Sequence, residues 1–311
     1  MFRPRAAKTR ALRITSVLVL ALLAAPHAVG AASAPAEFVI VTQPGVNPAL
    51  ARTVHLAAER CVPLYAGYVG TRLSRRITIH IYPTKEAFVR GRQVLGGESL
   101  EEALRAADHL GSAIGYTILI NQAQTHGTAE QAGTTCHEIV HVYQVELGTE
   151  DARPGHEWML EGYAYYMEKV ALEHLGLETL AAALDHAVKA LRETPDIDLR
   201  TAVVGGLLGA LVGVPVTGGT GRAFPRLADM ASQAQFDAAG ARFGSAFGRY
   251  LILMMDFLLK GSSHSALVAY FRSFAPNAGT PDREENFRAA FRMTVAEFQA
   301  RLDAYLAAVT R

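Results

Sequence analysis

The stretch Cys136-His137-Glu138-Ile139-Val140-His141 is the most informative part of the 311-residue chain. At about 3.6 residues per turn, two histidines at this spacing project from nearly the same face of a helix, one turn apart. Two imidazoles placed in this way can bind one metal ion, and Glu138 can reach a water molecule beside that ion. Zinc accepts nitrogen and oxygen ligands and keeps one position open for water in catalytic sites. The pattern therefore predicts a helix that carries a metal site.

The residues around the motif indicate that this helix is buried. Its apolar residues leave only a narrow polar side; they are Ile139, Val140, Val142, Val145 and Leu147. Thr134 and Thr135 precede the motif and would cap the helix if it began there.

A second predicted helix begins near Trp158 and carries Glu161. This glutamate follows three apolar residues, Trp158, Met159 and Leu160. A carboxylate in so apolar a segment is costly to bury unless a positive charge pairs with it, and a zinc ion would be such a charge. The two segments together therefore favour a metal site over a chance match.

The two segments resemble the gluzincin metallopeptidases, most closely the peptidase MA-like group. The residues that carry the resemblance are His137-Glu138-Ile139-Val140-His141 and Glu157-Trp158-Met159-Leu160-Glu161-Gly162-Tyr163-Ala164-Tyr165-Tyr166. That group has a His-Glu-x-x-His helix followed by a Trp-Leu-x-Glu-Gly-x-Ala-x-Tyr helix. The resemblance covers residues 76–170 and, more loosely, the C-terminal helices. It implies zinc bound by His137, His141 and Glu161, with Glu138 as the general base of peptide hydrolysis.

The chain departs from the family pattern at two positions. The family often has a carboxylate four residues after the ligand glutamate, where this chain has Tyr165, so another group must support the ligating imidazole. A tyrosine that often opens a later long helix is replaced near Ala241. Glu168 lies two turns past Glu161 on the same helix face, and we expect it to form a salt bridge or to support a ligand rather than to be a fourth ligand.

Several other side chains are candidates for the chemistry. Tyrosine hydroxyls near the site could donate to the oxyanion or to a ligand; the candidates are Tyr163, Tyr165 and Tyr166. On a later helix, Tyr250 and Arg249 are further candidate donors to the oxyanion. His156 is expected to start the second helix or to be solvated. The isolated histidines His109, His126 and His264 are expected at the surface or in the core.

Residues 1–30 have the pattern of a secretory signal peptide. A basic segment comes first, with Arg3, Arg5, Lys8, Arg10 and Arg13, and a short apolar core from Ile14 to Ala25 follows. Cleavage is expected after Gly30, Ala31 or Ala34. The twelve apolar-core residues are short of the about twenty that a membrane span needs. We therefore predict export to the periplasm or beyond, with an uncleaved anchor as the alternative.

Beyond residue 30 the chain keeps 25 of its 30 Lys and Arg residues and all 29 Asp and Glu residues. A mildly acidic chain without basic runs is not expected to bind nucleic acid. The only cysteines, Cys61 and Cys136, can form one disulfide in an oxidising compartment. The alternative is two buried thiols, and the sequence favours neither.

Residues 31–128 are predicted to mix strands and helices. The predicted strands are 38–42, 76–82 and 116–121. The first predicted helix runs from Pro48 to about Cys61 or Tyr65, and Pro63 is expected to disturb its end. Two further helices are predicted, one from Thr84 through Phe88 and one over 98–108. By analogy with zinc peptidases, the strand at 116–121 is expected to be an edge strand that pairs with extended substrate.

Residues 129–311 are predicted to be almost wholly helical. Helical periodicity is present near 130–147, 157–175, 178–192, 241–260, 263–274, 283–291 and 294–309. Thr294 with Glu297 forms a capping-box pattern. The predicted fold is therefore α+β: a small mixed sheet packed on a mainly helical, zincin-like body with a helical C-terminal half, in one catalytic unit.

The segment 202–216 is apolar and has Gly205, Gly209 and Gly213 four residues apart. Small residues at this spacing let helices approach closely, notably in membranes. A lid or loop over the cleft, a buried helix, and membrane insertion or an apolar partner surface all remain open.

The function predicted from these observations is an exported zinc metallopeptidase that acts on a peptide or protein. Three alternatives remain: a non-catalytic zinc-binding protein of the cell envelope, a membrane-associated protein that uses 202–216, and a structural helical domain with a chance motif. The sequence defines neither the substrate specificity nor the oligomeric state.

Overall fold

The computed structural model describes residues 38–148, 156–193, 224–244, 246–275, 278 and 282–310. The signal sequence expected at residues 1–30 and the Gly-rich segment 202–216 lie outside the described residues. The predicted α+β class is confirmed, because a small mixed sheet packs on a mainly helical body.

Four short strands form the sheet: β1 (Phe38–Thr42), β2 (Ile77–Tyr82), β3 (Gly111–Ile114) and β4 (Thr117–Asn121). Their order is β1-β2-β4-β3, with β1, β2 and β4 parallel and β3 antiparallel to β4. The register places Ile79 of β2 between Ile40 and Ile118. These side chains form an apolar row that packs into the main core.

The prediction that the strand before the metal helix is an edge strand was wrong. That strand, β4, lies inside the sheet between β2 and β3. The edge strands are β1 and β3. The sequence did not reveal β3, because it has only four residues and only Ile114 among them favours strands strongly.

Three helices accompany the sheet: α1 (Pro48–Val69), α2 (Lys85–Gly96) and α3 (Leu100–Arg105). The predicted end of α1 near Pro63 was wrong, because the helix continues to Val69. Proline removes one backbone donor from a helix interior, but Tyr65 and Val69 are buried in the core beyond it. Packing therefore holds the last turns in place.

Thr84 caps α2 as predicted, accepting a hydrogen bond from the backbone N–H of Ala87 at 3.2 Å. The helix is longer than predicted, and Gly97, which follows its last residue, has a left-handed φ of 67°. The helix predicted over 98–108 is shorter, spanning only α3, and it begins at a capping box formed by Ser99 and Glu102.

The helical body consists of α4 (Thr128–Leu147), α5 (Glu157–His174), α6 (Leu180–Glu193), α7 (Gln233–Phe243), α8 (Ala246–Gly261), α9 (His264–Arg272), α10 (Arg283–Phe291) and α11 (Val295–Val309). The single helix predicted over 241–260 is wrong, since α7 and α8 are separate and Gly244 between them has a φ of 55°. The capping box of Thr294 and Glu297 is confirmed at the start of α11.

Cys61 of α1 and Cys136 of α4 form a disulfide, with their Cα atoms 5.7 Å apart. This bond connects two helices that pack side by side in the core. Within the described residues, no single helix has the length and apolarity to cross a membrane; only α8 with α9, bent by 104°, meets those criteria as a pair.

Candidate metal centre

The metal-site motif lies in the middle of α4, and all six of its residues, 136–141, are buried. The helix begins at Thr128 after the N-cap Gly127, so the suggestion that Thr134 and Thr135 cap it was wrong. Both threonines are buried one to two turns inside the helix. The site is therefore built on a rigid core element.

Two helix stripes face each other at the site. On α4 the stripe consists of Gly133, His137, His141 and Gln144, at the spacing of successive turns. On α5 it consists of Glu161, Tyr165 and Glu168. The two helices pack together along much of their length, which brings the stripes into contact.

The donor atoms of His137, His141 and Glu161 converge on one point. The Nε2 atoms of the two histidines are 3.2 Å apart, and the Glu161 carboxylate lies 3.3 Å from His137 and 3.4 Å from His141. The three side chains are only 7–13% exposed. This triad is the group of three His, Cys, Asp or Glu side chains in the described residues that could hold a metal ion.

The orientation of His141 is fixed by Gln144. The Gln144 amide nitrogen donates to the Leu160 carbonyl at 2.8 Å, which turns the amide oxygen toward His141. That oxygen lies 2.8 Å from Nδ1 of His141. Since an amide oxygen only accepts, Nδ1 must carry the proton, and the Nε2 lone pair is left for a metal.

His137 is oriented by Glu168. A Glu168 carboxylate oxygen lies 3.6 Å from Nδ1 of His137, and the other oxygen accepts from Lys169 at 2.8 Å. Although burial raises the pKa of Glu168, His137 and Lys169 together lower it, so this carboxylate is ionised. Glu168 thus supplies the supporting carboxylate that the chain lacks at Tyr165.

A close approach of α5 to α4 makes this contact possible. A Cβ atom at Gly133 would lie 3.0 Å from a Glu168 carboxylate oxygen. Glycine at this position therefore leaves the space that the supporting carboxylate occupies, one turn before His137.

The electrostatics of the triad favour a cation. Burial alone lowers the pKa of His137, but the interactions with Glu161 and Glu168 outweigh burial and raise it to about 10. Two imidazole lone pairs and a carboxylate within hydrogen-bond distance of one another repel unless a positive charge lies among them. A metal ion satisfies this requirement by displacing the proton.

Glu138 is buried beside the triad and lies against the edge of the sheet. A Cβ atom at Gly111, the first residue of β3, would be 2.9 Å from Cγ and from one carboxylate oxygen of Glu138. The negative charge of Glu138 also acts on His137 and on Tyr165. The candidate general base is therefore located between the metal triad and the edge strand.

Tyr165 packs against the site, with its ring centroid 4.8 Å from that of His137. Burial and the charges of Glu161 and Glu168 raise the pKa of its phenol, which keeps the hydroxyl protonated. A protonated phenol here is able to donate a hydrogen bond. Of the tyrosine candidates, Tyr165 is the one with a ring contact to a triad histidine.

The other tyrosine candidates make different contacts. Tyr166 lies near the ring of His264, and Tyr163 contacts the same histidine. The Tyr250 hydroxyl donates to the Pro225 carbonyl at 3.1 Å, and its ring stacks on Phe224. None of these contacts of Tyr163, Tyr166 and Tyr250 involves a residue of the triad.

His156 precedes α5 at the N-cap position, as expected for a helix start, but it is buried rather than solvated. Its backbone N–H donates to the Tyr270 hydroxyl at 3.0 Å, and that hydroxyl lies 2.8 Å from Nδ1. Because a carboxylate only accepts, Nε2, which lies 3.4 Å from Glu284, carries the proton of the neutral ring, and Nδ1 accepts from the Tyr270 hydroxyl. His156 thus anchors the start of the helix that carries Glu161.

No family model, curated protein or solved structure matches the chain.

Proposed function

We propose that the chain is an exported zinc-dependent metallopeptidase of the gluzincin type. The spacing of the triad atoms supports this best. Zinc sites are tetrahedral, with Zn–N and Zn–O distances of about 2.0–2.2 Å, so neighbouring ligand atoms are separated by about 3.3–3.6 Å. The two Nε2 atoms are 3.2 Å apart, and each has a Glu161 oxygen close to this range, Oε2 at 3.3 Å from His137 and Oε1 at 3.4 Å from His141.

Three protein ligands leave one tetrahedral position for water or substrate, as in catalytic rather than structural zinc sites. Zinc bound by His137, His141 and Glu161 would supply a Lewis acid that acidifies water and polarises a carbonyl group. Glu138 would take a proton from the attacking water and pass it to the leaving amine. The phenol of Tyr165 would donate to the oxygen on which negative charge develops.

The position of Glu138 favours a peptide as the substrate. Glu138 lies against Gly111, the first residue of the edge strand β3. A free strand edge can pair with an extended peptide through backbone hydrogen bonds. Such pairing would hold a scissile peptide bond alongside the residues that act on it.

A non-catalytic zinc-binding protein of the cell envelope is the main competing proposal, because Tyr165 replaces the usual carboxylate. Glu168 weakens that objection, since its carboxylate reaches Nδ1 of His137 from three residues further along α5. The support that a catalytic histidine ligand needs is therefore available from another position.

The test is hydrolysis of a casein or peptide library by the purified chain, with and without a chelator. We expect chelator-sensitive hydrolysis that zinc restores. Glu138→Gln should retain stoichiometric zinc and lose most turnover, whereas His137→Ala should lose both. Normal turnover by Glu138→Gln would exclude the mechanism, and zinc binding without hydrolysis would favour the envelope protein.

A further inference from the structure

A cavity of about 570 Å³ lies between α5, α6, α8 and the start of α9. Small-molecule sites typically have volumes of about 300–1,000 Å³. Tyr166 and Glu173 line the cavity from α5. They follow Glu161 by five and twelve residues, so they project about 120–140° away from it around the helix. The cavity, which we call the α8 cavity, is therefore separate from the metal centre.

The lining of the α8 cavity combines apolar side chains with an excess of negative charge. Its apolar residues come from α6 and α8 and are Leu180, Ala181, Leu184 and Leu259. Its charged residues are Glu173, Asp256 and Lys260, and Tyr166, Ser263 and His264 complete the lining. Burial lowers the pKa of His264, which keeps that ring neutral at pH 7. Two carboxylates therefore face one ammonium group.

Asp256 already binds an ammonium group in this cavity. Its side chain is only 4% exposed, and Oδ2 accepts from Nζ of Lys260 at 2.7 Å. The Lys260 side chain is 69% exposed. An ion pair with so exposed a partner contributes a factor of about five at most to an equilibrium constant. The ammonium group of a ligand can therefore replace Lys260 at little cost.

The second carboxylate, Glu173, has no basic partner among the described residues. One of its oxygens accepts from the backbone N–H of Leu180 at 3.2 Å. Burial, together with the charges of Asp256 and Glu173, raises the pKa of Tyr166 to about 12. Both carboxylates thus act on the same aromatic side chain. Negative charge beside a tyrosine ring is an environment that favours an organic cation.

We propose that the α8 cavity is a binding site for an alkylammonium group, with the ammonium paired to Asp256 and the alkyl chain against the leucines of α6 and α8. The ligand is a free organic amine or a lysine side chain of a polypeptide, which share this chemistry. An anionic ligand would instead be repelled by Asp256 and Glu173. The inference goes beyond the proposed peptidase function and does not depend on it.

The experiment titrates the purified chain with three small probes, followed by NMR. The probes are n-pentylammonium, its neutral counterpart 1-pentanol and the anion hexanoate. We expect pentylammonium to bind at least about tenfold more tightly than pentanol, as a charged hydrogen bond implies, and hexanoate not to bind. Lysine blocked at both backbone ends distinguishes the two sources of the ligand. Binding of blocked lysine supports a polypeptide side chain, and binding of pentylammonium alone supports a free amine.

Four variants locate the binding. Asp256→Asn should weaken pentylammonium binding at least about tenfold, whereas Lys260→Met should strengthen it up to about fivefold because the competing ammonium is gone. Glu173→Gln keeps an acceptor for the Leu180 N–H and changes an exposed side chain, so it should fold and bind more weakly. The control is Asp185→Asn, an exposed position on α6 outside the lining, which should bind as the wild type does.

The proposal is overturned if wild-type protein binds no pentylammonium, or if pentanol or hexanoate binds as tightly. It is also overturned if Lys260→Met binds pentylammonium more weakly than the wild type, or if Asp185→Asn loses as much affinity as Glu173→Gln. The Lys260 and Glu173 variants decide the outcome even if Asp256→Asn does not fold.

Discussion

Replacing Glu168 by Gln is expected to weaken zinc binding about tenfold without unfolding the protein. The Glu168 carboxylate lies 3.6 Å from Nδ1 of His137, and its side chain is 16% exposed. Removing the partner of a histidine ligand typically lowers metal affinity by about 10–100-fold, or about 1.4–2.7 kcal/mol. Glutamine keeps an acceptor oxygen but loses the negative charge. Alanine at position 168 loses both, so Glu168→Ala should weaken zinc binding by about 100-fold.

Gly133→Ala tests the same contact from α4. The added Cβ atom would lie 3.0 Å from a Glu168 carboxylate oxygen, so the carboxylate must move by a few tenths of an ångström. Alanine also favours the helix by up to about 1 kcal/mol. We therefore expect weaker zinc binding without a loss of thermal stability. Gly67→Ala on α1 is the control, because nothing lies within 4 Å of that position, and it should not change zinc affinity.

The assay is competition for zinc with a chromophoric chelator at neutral pH, with circular dichroism as the test of folding. Glu168→Gln and Glu168→Ala should rank in that order below the wild type, and Gly67→Ala should match the wild type. If both Glu168 variants bound zinc as tightly as the wild type, Glu168 would not support His137. The reasoning from the 3.6 Å contact would then be refuted.

Three further predictions concern the general base, the disulfide and pH. Gly111→Ala should displace Glu138, because a carboxylate oxygen of Glu138 lies 2.9 Å from the position of the new Cβ atom. This variant should retain zinc and have a kcat at least about tenfold lower than the wild type. Full turnover would contradict this prediction. Replacing both Cys61 and Cys136 by Ala should lower the free energy of unfolding by about 4 kcal/mol, because the bond closes a loop of 75 residues; denaturant unfolding with little change would contradict it. Burial lowers the pKa of the His156 imidazole in the folded protein below its unfolded value of about 6.5. The free energy of unfolding should therefore fall as the pH drops from about 6.5 toward the pKa of the folded state, by up to about 1.4 kcal/mol per pH unit. Thermal melts over this pH range should show a smaller loss for His156→Gln.

The helical half of the fold was predictable because its periodicity is strong over long segments. The helices 157–174, 283–291 and 295–309 lie within a residue or so of their predicted ranges. Proline and glycine, which usually interrupt helices, were less reliable signals of where a helix ends, because packing against distant residues can outweigh local backbone preference. Pro63 lies inside α1, whereas Gly244 does separate α7 from α8.

The sheet edge was not predictable from local sequence. Strand β3 is short and weakly apolar, and its place at the edge depends on pairing with β4, which no local pattern encodes. The expectation that the strand at 116–121 forms the edge was wrong, because β3 pairs with the outer side of that strand.

Around the metal site, the sequence suggested the triad residues, and the structure brings those three together. It did not suggest Gln144, although a glutamine three residues after a histidine on a helix is a recognisable signal for side-chain contact. Gly111 and Gly133 could not have been found in this way. Their roles depend on side chains that approach from other elements, Glu138 and Glu168.

X-ray absorption at the zinc edge on the purified full chain would test the central claim most directly. We expect one zinc ion per chain with two imidazole nitrogens and a carboxylate oxygen at about 2.0–2.2 Å, and loss of that signal in both His137→Ala and Glu161→Ala. A zinc-free chain, or a bound zinc whose signal survives both substitutions, would contradict the account.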